Sequence, residues 1–316
     1  MSPALETSLY VFGLIALGYL SGLTGYLKTE IGDALTQFAV GVALPLLLFR
    51  TMIGADFHGS APWALWAAYF SAVAVAWTAG HLVTTRIFGR ESQAGVVGGV
   101  SSAFSNLVLL GIPLSLGFFG QEGFEVLSLL IAVHLPTMIM ASMILFAIFG
   151  LDKSAKVEPW RLVRDFLRRM AKNPLVVGIL LGLVWRLTGQ PLPGLVSRLV
   201  DALAGIAGPL ALFAVGLSLR RFGITGNIRP ALTLSALKLV LMPAAALVAA
   251  LLFGLPPLAA KVAVAAAALP SGVNSYLIAT QFGTGQALAS NQMTIATACG
   301  VVTTAFWLSV AQMVFG

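Results

Sequence analysis

Two amide side chains, Asn106 and Asn274, stand in segments built otherwise of apolar and small residues. The first segment is S-S-A-F-S-N-L-V-L-L-G-I-P-L-S-L-G-F-F-G (101–120) and the second A-L-P-S-G-V-N-S-Y-L-I-A-T-Q-F-G (268–283). An amide donates and accepts at once, which suits a carboxylate, a polar solute or a dehydrated ion. Each asparagine lies a few residues from a proline, Pro113 or Pro270, and from a glycine, Gly111 or Gly272. Proline has no amide hydrogen and crowds the carbonyl four residues back, so a helix through Pro113 is expected to kink or break. In hydrocarbon a break survives only where protein or a water-filled cavity satisfies the freed backbone groups. Interrupted helices in corresponding halves of a chain point to a transporter's binding site. A single asparagine would read as glue between helices, worth about 0.6–2 kcal/mol; the pair beside two prolines reads as a site. Ser105, Ser271 and Ser275 are weaker candidates, because a hydroxyl also bonds back to its own helix.

Lys238, in L-S-A-L-K-L-V-L-M-P, is the sharpest single residue. It lies nine residues past Arg229, roughly 13 Å into a membrane by helical rise, where insertion of a lysine costs about 2.5–3.5 kcal/mol. It should face protein or a cavity. Three roles fit: offsetting the charge of an anionic substrate, holding broken helices by their carbonyl ends in place of a coupling cation, or a structural tether. His134, mid-span beside Pro136, could shuttle protons for coupling; bonding to the carbonyl that Pro136 leaves free is the plainer expectation. No Asp or Glu falls in the middle of an apolar stretch, so a carboxylate-based proton or sodium site has no candidate. His, Cys, Asp and Glu show no metal-ligand spacing, the single cysteine is Cys299, and no phosphate-binding P-loop occurs. Metal, cofactor and directly ATP-driven chemistry are therefore not expected. Neither is an enzyme, since no paired carboxylates or nucleophile–base set lies mid-span.

Such residues need long apolar elements to position them. The chain is 59% hydrophobic and only 9% charged, outside the range of ordinary soluble domains. Ten stretches reach the roughly 20 residues that a span requires: 8–27, 32–53, 62–87, 93–118, 124–150, 173–190, 197–219, 230–254, 258–282 and 287–315. The net charge of +7 comes from basic residues gathered in a few loops, unlike a nucleic-acid footprint. With the amino terminus outside, inner loops hold 13 of the 18 Lys and Arg, including Lys28, Arg86, Arg90, Arg220, Arg221 and Arg229. The positive-inside rule thus puts both termini outside the cytoplasmic membrane. His58 falls in an outer loop and His81 near an inner end. Met1–Tyr10 lacks a signal peptide's basic region, so the first apolar stretch is expected to be a retained span. Residues 151–172 form a cytoplasmic linker in which Trp160, Val163, Phe166, Leu167 and Met170 share one helical face and Arg161, Arg164, Arg168 and Arg169 lie elsewhere. That pattern predicts a helix anchored at the membrane interface.

The halves repeat. L-G-x4-L-T-G occurs at Leu17–Gly25 and Leu181–Gly189, and D-A-L at Asp33–Leu35 and Asp201–Leu203. The interval from Asp33 to Asn106 equals that from Asp201 to Asn274. With five spans in each half, the repeats must be inverted in the membrane, an arrangement suited to alternating access. The expected fold is an all-α integral membrane protein of ten transmembrane helices, residues 1–150 and 173–316 forming two inverted five-helix repeats with the fourth and ninth helices broken. Lys238 has no repeat counterpart: Phe70 occupies the matching place.

At these residues the chain resembles the auxin efflux carrier family, including its bacterial members. The resemblance runs nearly end to end, through D-A-L-T-Q-F-A-V-G-V-A-L-P-L-L-L-F-R (33–50), F-S-N-L-V-L-L-G-I-P-L (104–114), K-N-P-L-V-V-G-I-L-L-G (172–182), G-P-L-A-L-F-A-V-G-L-S-L (208–219), L-K-L-V-L-M-P (237–243) and L-P-S-G-V-N-S-Y-L-I-A-T-Q-F-G (269–283). It implies that the fourth and ninth helices cross at their breaks, with Asn106, Pro113, Pro270 and Asn274 at the crossover. It also implies a scaffold of helices 1, 2, 6 and 7, a transport domain of helices 3–5 and 8–10 moving like an elevator, and small organic anions such as malate, malonate or auxin as substrates. The long cytoplasmic loop of many plant members is absent, its place held by residues 151–172.

The function expected is secondary transport of a small carboxylate, held by Asn106 and Asn274 with Ser105, Ser271 and Lys238 nearby. Its partners are the organic anion and membrane lipid, with a homodimer compatible and nucleic acid excluded. Two other readings fit the same residues: a cation-coupled carrier of amphipathic or sterol-like anions, and a membrane sensor that binds without transporting.

Overall fold

The computed structural model describes residues 3–54, 62–149, 159–218, 226 and 228–316. His58, Arg220, Arg221 and the first part of the linker, 151–158, lie outside the described residues. Helices occupy most of every apolar stretch. They are α1 (Pro3–Leu23), α2 (Thr29–Phe38), α3 (Leu44–Gly54), α4 (Trp63–Leu82), α5 (Ser92–Ala103), α6 (Ile112–Phe149), α7 (Pro159–Lys172) and α8 (Pro174–Leu187). The second half adds α9 (Gly194–Gly205), α10 (Ala207–Ser218), α11 (Arg229–Ala236), α12 (Met242–Leu252), α13 (Pro257–Ala268), α14 (Val273–Gln281) and α15 (Gln286–Phe315). Among the described residues six helical segments are long and apolar enough to cross a membrane, or seven if the bent pair α7–α8 counts as one span. The described residues are nearly all helical, and the chain is an integral membrane protein.

Helix continuity departs from expectation at Pro113. The backbone leaves the helix at Phe104–Asn106, well before the proline. Pro113 instead sits in the first turn of α6, directly after a widened π-helical turn at Leu107–Gly111. The same pairing recurs at Ala39–Ala43 before Pro45 and at Leu237–Leu241 before Pro243. The carbonyl that a proline ring crowds, four residues back, falls inside each widened turn, and the wider turn relieves the clash. The sharp bend in α6 lies at Gly120, whose φ of 67° belongs to the left-handed region, where glycine carries no steric penalty.

The contacts divide the chain into two compact units: Met1–Ala61 with Val108–Val133 and Arg164–Arg221, and Pro62–Leu107 with His134–Val163 and Phe222–Gly316. Both are held by close helix approach. In the first unit Gly178 and Gly182, one turn apart on α8, lie against the backbone of α3: a Cβ on either would come within 2.5 Å of Pro45 O or 2.6 Å of Phe49 O. Gly18 on α1 and Gly216 on α10 meet the facing helix's backbone in the same way, at Phe213 O and Ile15 O. Lipid tails are as apolar as leucine, so helices in a membrane associate through packing, and small residues permit it. In the second unit α5 packs along α4, with Gly99 against the Trp77 ring and Gly80 against Gly98 O.

Replacing Gly178 or Gly182 by leucine should force α8 off α3. Overpacking of this kind costs about 1–3 kcal/mol, read as a lowered melting temperature in detergent. Gly13→Leu, where nothing lies within 4 Å of the added carbon, should leave it unchanged.

Candidate functional site

The second unit contains both chain breaks that flank the predicted asparagines. α5 ends at Ala103, and Phe104–Asn106 run extended; α13 ends at Ala268, and Leu269–Gly272 do the same. The two extended segments pair. Ser105 and Ser271 form an isolated antiparallel bridge, and the Asn106 N–H donates to Pro270 O at 2.9 Å. Gly272 lies beneath the Asn106 side chain, where a Cβ would stand 3.0 Å from Asn106 Cγ. Its lack of a side chain permits the approach. Gly300 of α15 does the same for the Pro270 ring, 3.1 Å from the place of its missing Cβ.

The carbonyl end of α13 is capped from outside. Lys238 Nζ donates to Ala267 O at 2.6 Å and lies 3.2 Å from Met242 Sδ. Thr304 Oγ1 donates to Ala268 O at 3.3 Å. Lys238 is 0% exposed, so of the roles its sequence allows, its contacts are those of the one that holds a broken helix by its carbonyls. Trp307 Nε1 donates at 2.8 Å to Leu239 O, the carbonyl crowded by Pro243. Ser271 Oγ donates to Gln292 Oε1 at 2.5 Å, and Ser235 Oγ to Gln292 O at 3.2 Å.

Burial sorts the candidates. Ser105, Ser271, Ser275 and Lys238 are sealed, whereas Asn106 and Asn274 are half-exposed. Asn274 stands in the first turn of α14, where amide N–H groups are unused by the helix and the dipole is positive. Ser275 Oγ turns back to Gly272 O at 3.0 Å. Gly111 and Pro113 belong to the first unit, where Pro113 packs on Gly208.

His134 differs from expectation. Neither ring nitrogen meets hydrogen-bond geometry with any described group, including the carbonyl that Pro136 frees. The imidazole sits among aromatic rings, edge-on to Phe104 at 4.9 Å and Tyr69 at 5.5 Å, and stacked on Phe70 at 6.4 Å. The Ser105 backbone also lies beside the ring.

Sequence reasoning overlooked Gln292, Thr304 and Trp307. All three are buried on α15, and a signal for Gln292 was present: an amide in an apolar span is as costly there as Asn106 is in its own.

The membrane transport protein family profile matches residues 3–308. An "Uncharacterized transporter" of Methanothermobacter thermautotrophicus is 27% identical over 310 residues, 96% of each chain. A "Putative malonate transporter" of Rhizobium meliloti is 29% identical over 309 residues, covering 92% of this chain and 91% of the relative. The mouse "Lysosomal cholesterol signaling protein" is 24% identical over 225 residues, 69% of this chain and 26% of its own length. With broken, internally paired helices in an apolar chain and a profile that spans nearly all of it, the protein belongs to the membrane transport protein family, that of the auxin efflux carriers.

Proposed function

We propose that this transporter is a secondary carrier of a small organic anion, a carboxylate such as malate, malonate or an auxin-like acid, bound at the paired breaks. The observation that carries the reading is the sorting of polar groups: two amides stand half-exposed at the breaks, while the groups that hold the broken ends are buried. The electrostatics favour an anion. Lys238 occupies the carbonyl end of α13 by donating to Ala267 O, and the positive amino end of α14 lies beside Asn274. The name of the Rhizobium meliloti relative points to the same substrate class.

The carrier works, in this reading, as ten spans in two inverted repeats in the bacterial cytoplasmic membrane, both termini outside, with elevator-like alternation. The division into units supports the elevator: α1–α3 and α8–α10 fall in one unit, α4, α5 and α11–α15 in the other. Residues 108–133, which the expected division assigns to the moving part, group with the first. One observation favours a second reading, a sensor that binds without transport: the signaling name of the mouse relative.

Purified protein in liposomes should exchange labelled malonate or malate in counterflow; saturable binding without exchange would establish the sensor instead. Asn106→Ala and Asn274→Ala should each slow exchange by about 10-fold or more, since a hydrogen bond to a charged group is worth about 1.5–3 kcal/mol. Normal rates in both variants would remove the site from the breaks. Lys238→Met should lower thermal stability as well as transport, because a buried carbonyl left without a donor costs about 1–3 kcal/mol. In the asparagine variants the melting temperature should hold.

A further inference from the structure

The helix α7 takes no part in the proposed transport site, and its surroundings point to a different ligand. It meets α8 at an angle of 77°. The bend is set by Asn173, whose side chain caps α8 by accepting from Leu175 N at 3.0 Å and Val176 N at 3.3 Å. α8 leaves Leu180, Leu181, Val184 and Leu187 exposed, as a helix in contact with lipid does. If α8 runs across the membrane, α7 lies close to the membrane plane at its end.

Around the axis of α7, at 3.6 residues per turn, three sectors follow in order. Phe166 and Met170 form the first, and Met170 is buried at 8% exposure. Val163, Leu167 and Trp160 come next, exposed at 39%, 56% and 71%. Arg164, Arg168 and Arg161 follow, all at the surface. One edge of the apolar stripe therefore rests on protein, its middle is open, and its far edge is lined with guanidinium groups. Five basic residues stand in this helix against one acid, Asp165. The Arg164–Asp165 contact, 3.7 Å and well exposed on both sides, is a pair of the kind that contributes little. An open apolar stripe with arginines along one border matches the boundary between acyl chains and anionic headgroups.

We propose that α7 is a docking surface for anionic phospholipid: Trp160, Val163 and Leu167 enter the acyl boundary, and Arg161, Arg164 and Arg168 hold headgroup phosphates. Charge complementarity selects the occupant, since basic side chains beside an apolar stripe attract anionic headgroups at the membrane surface. The element is independent of what the carrier moves.

The test uses the full-length protein in liposomes with brominated phosphatidylglycerol or brominated phosphatidylcholine at equal mole fraction. The contribution of Trp160 is the difference in fluorescence quenching between the wild type and Trp160→Phe. Trp160 should be quenched at least twice as strongly by the anionic lipid, and high salt should reduce the excess. The triple variant Arg161→Gln, Arg164→Gln, Arg168→Gln should bring the ratio to about one, while the lysine triple variant, which keeps the charge and controls for folding, should retain most of it. Equal quenching by both lipids, no quenching by either, or an excess that survives in the glutamine variant would overturn the proposal. A Trp160 signal that follows the protein-to-lipid ratio and ignores lipid charge would assign the face to a second copy of the chain, and would also overturn it.

Discussion

A backbone that leaves the helix inside hydrocarbon must find its hydrogen bonds within the protein, because each group left without one costs several kcal/mol. The second unit meets that requirement twice over. Its two extended segments bond to each other, through Asn106 N–H and Pro270 O and through the Ser105–Ser271 bridge. Neither break could stand alone, since each supplies the other's partner. Two carbonyls at the end of α13, Ala267 O and Ala268 O, accept from Lys238 and Thr304. Much else follows from this constraint. Gly272 and Gly300 are bare so that Asn106 and Pro270 can approach, and α15 carries its polar residues where the breaks need them. Gln292, Gly300, Thr304 and Trp307 fall on one side of that helix, which makes α15 a brace laid along the break.

The same contacts set the electrostatics. A helix ending in the membrane presents carbonyl oxygens and a partial negative charge, which would repel an anion. Lys238 covers one of those oxygens by donating to Ala267 O. His134 packs among Phe70, Tyr69 and Phe104 in the same unit.

The helical membrane architecture was legible because apolar length is a coarse, additive signal: stretches such as 230–254 and 287–315 need only be counted. Both breaks were legible from asparagine, glycine and proline together, but their edges were not. Pro113 marks a widened turn and the break comes earlier, at Phe104–Asn106, because a proline is tolerated in a helix's first turn while the chain must open where the partner segment waits. That partner lies more than 150 residues away and leaves no local trace. For the same reason Gln292 was passed over: its importance comes from Ser271 and Ser235, which are distant in sequence. Lys238 was conspicuous by its cost, but its partner carbonyl depends on where α13 stops, and alternating alanines such as A-V-A-A-A-A (263–268) do not announce an end.

The bonds that hold the breaks come from the protein itself, and for a membrane transporter that has a consequence. Were the broken ends satisfied by the substrate itself, each release would strand backbone groups in hydrocarbon, at several kcal/mol apiece. Here the bonds that close the breaks run between protein groups: Asn106 N–H to Pro270 O, Lys238 to Ala267 O, Ser271 to Gln292. The Asn106 and Asn274 side chains are half-buried at the breaks. The breaks are thus closed by the protein's own groups, so a transported solute need not supply a backbone hydrogen bond to keep them intact.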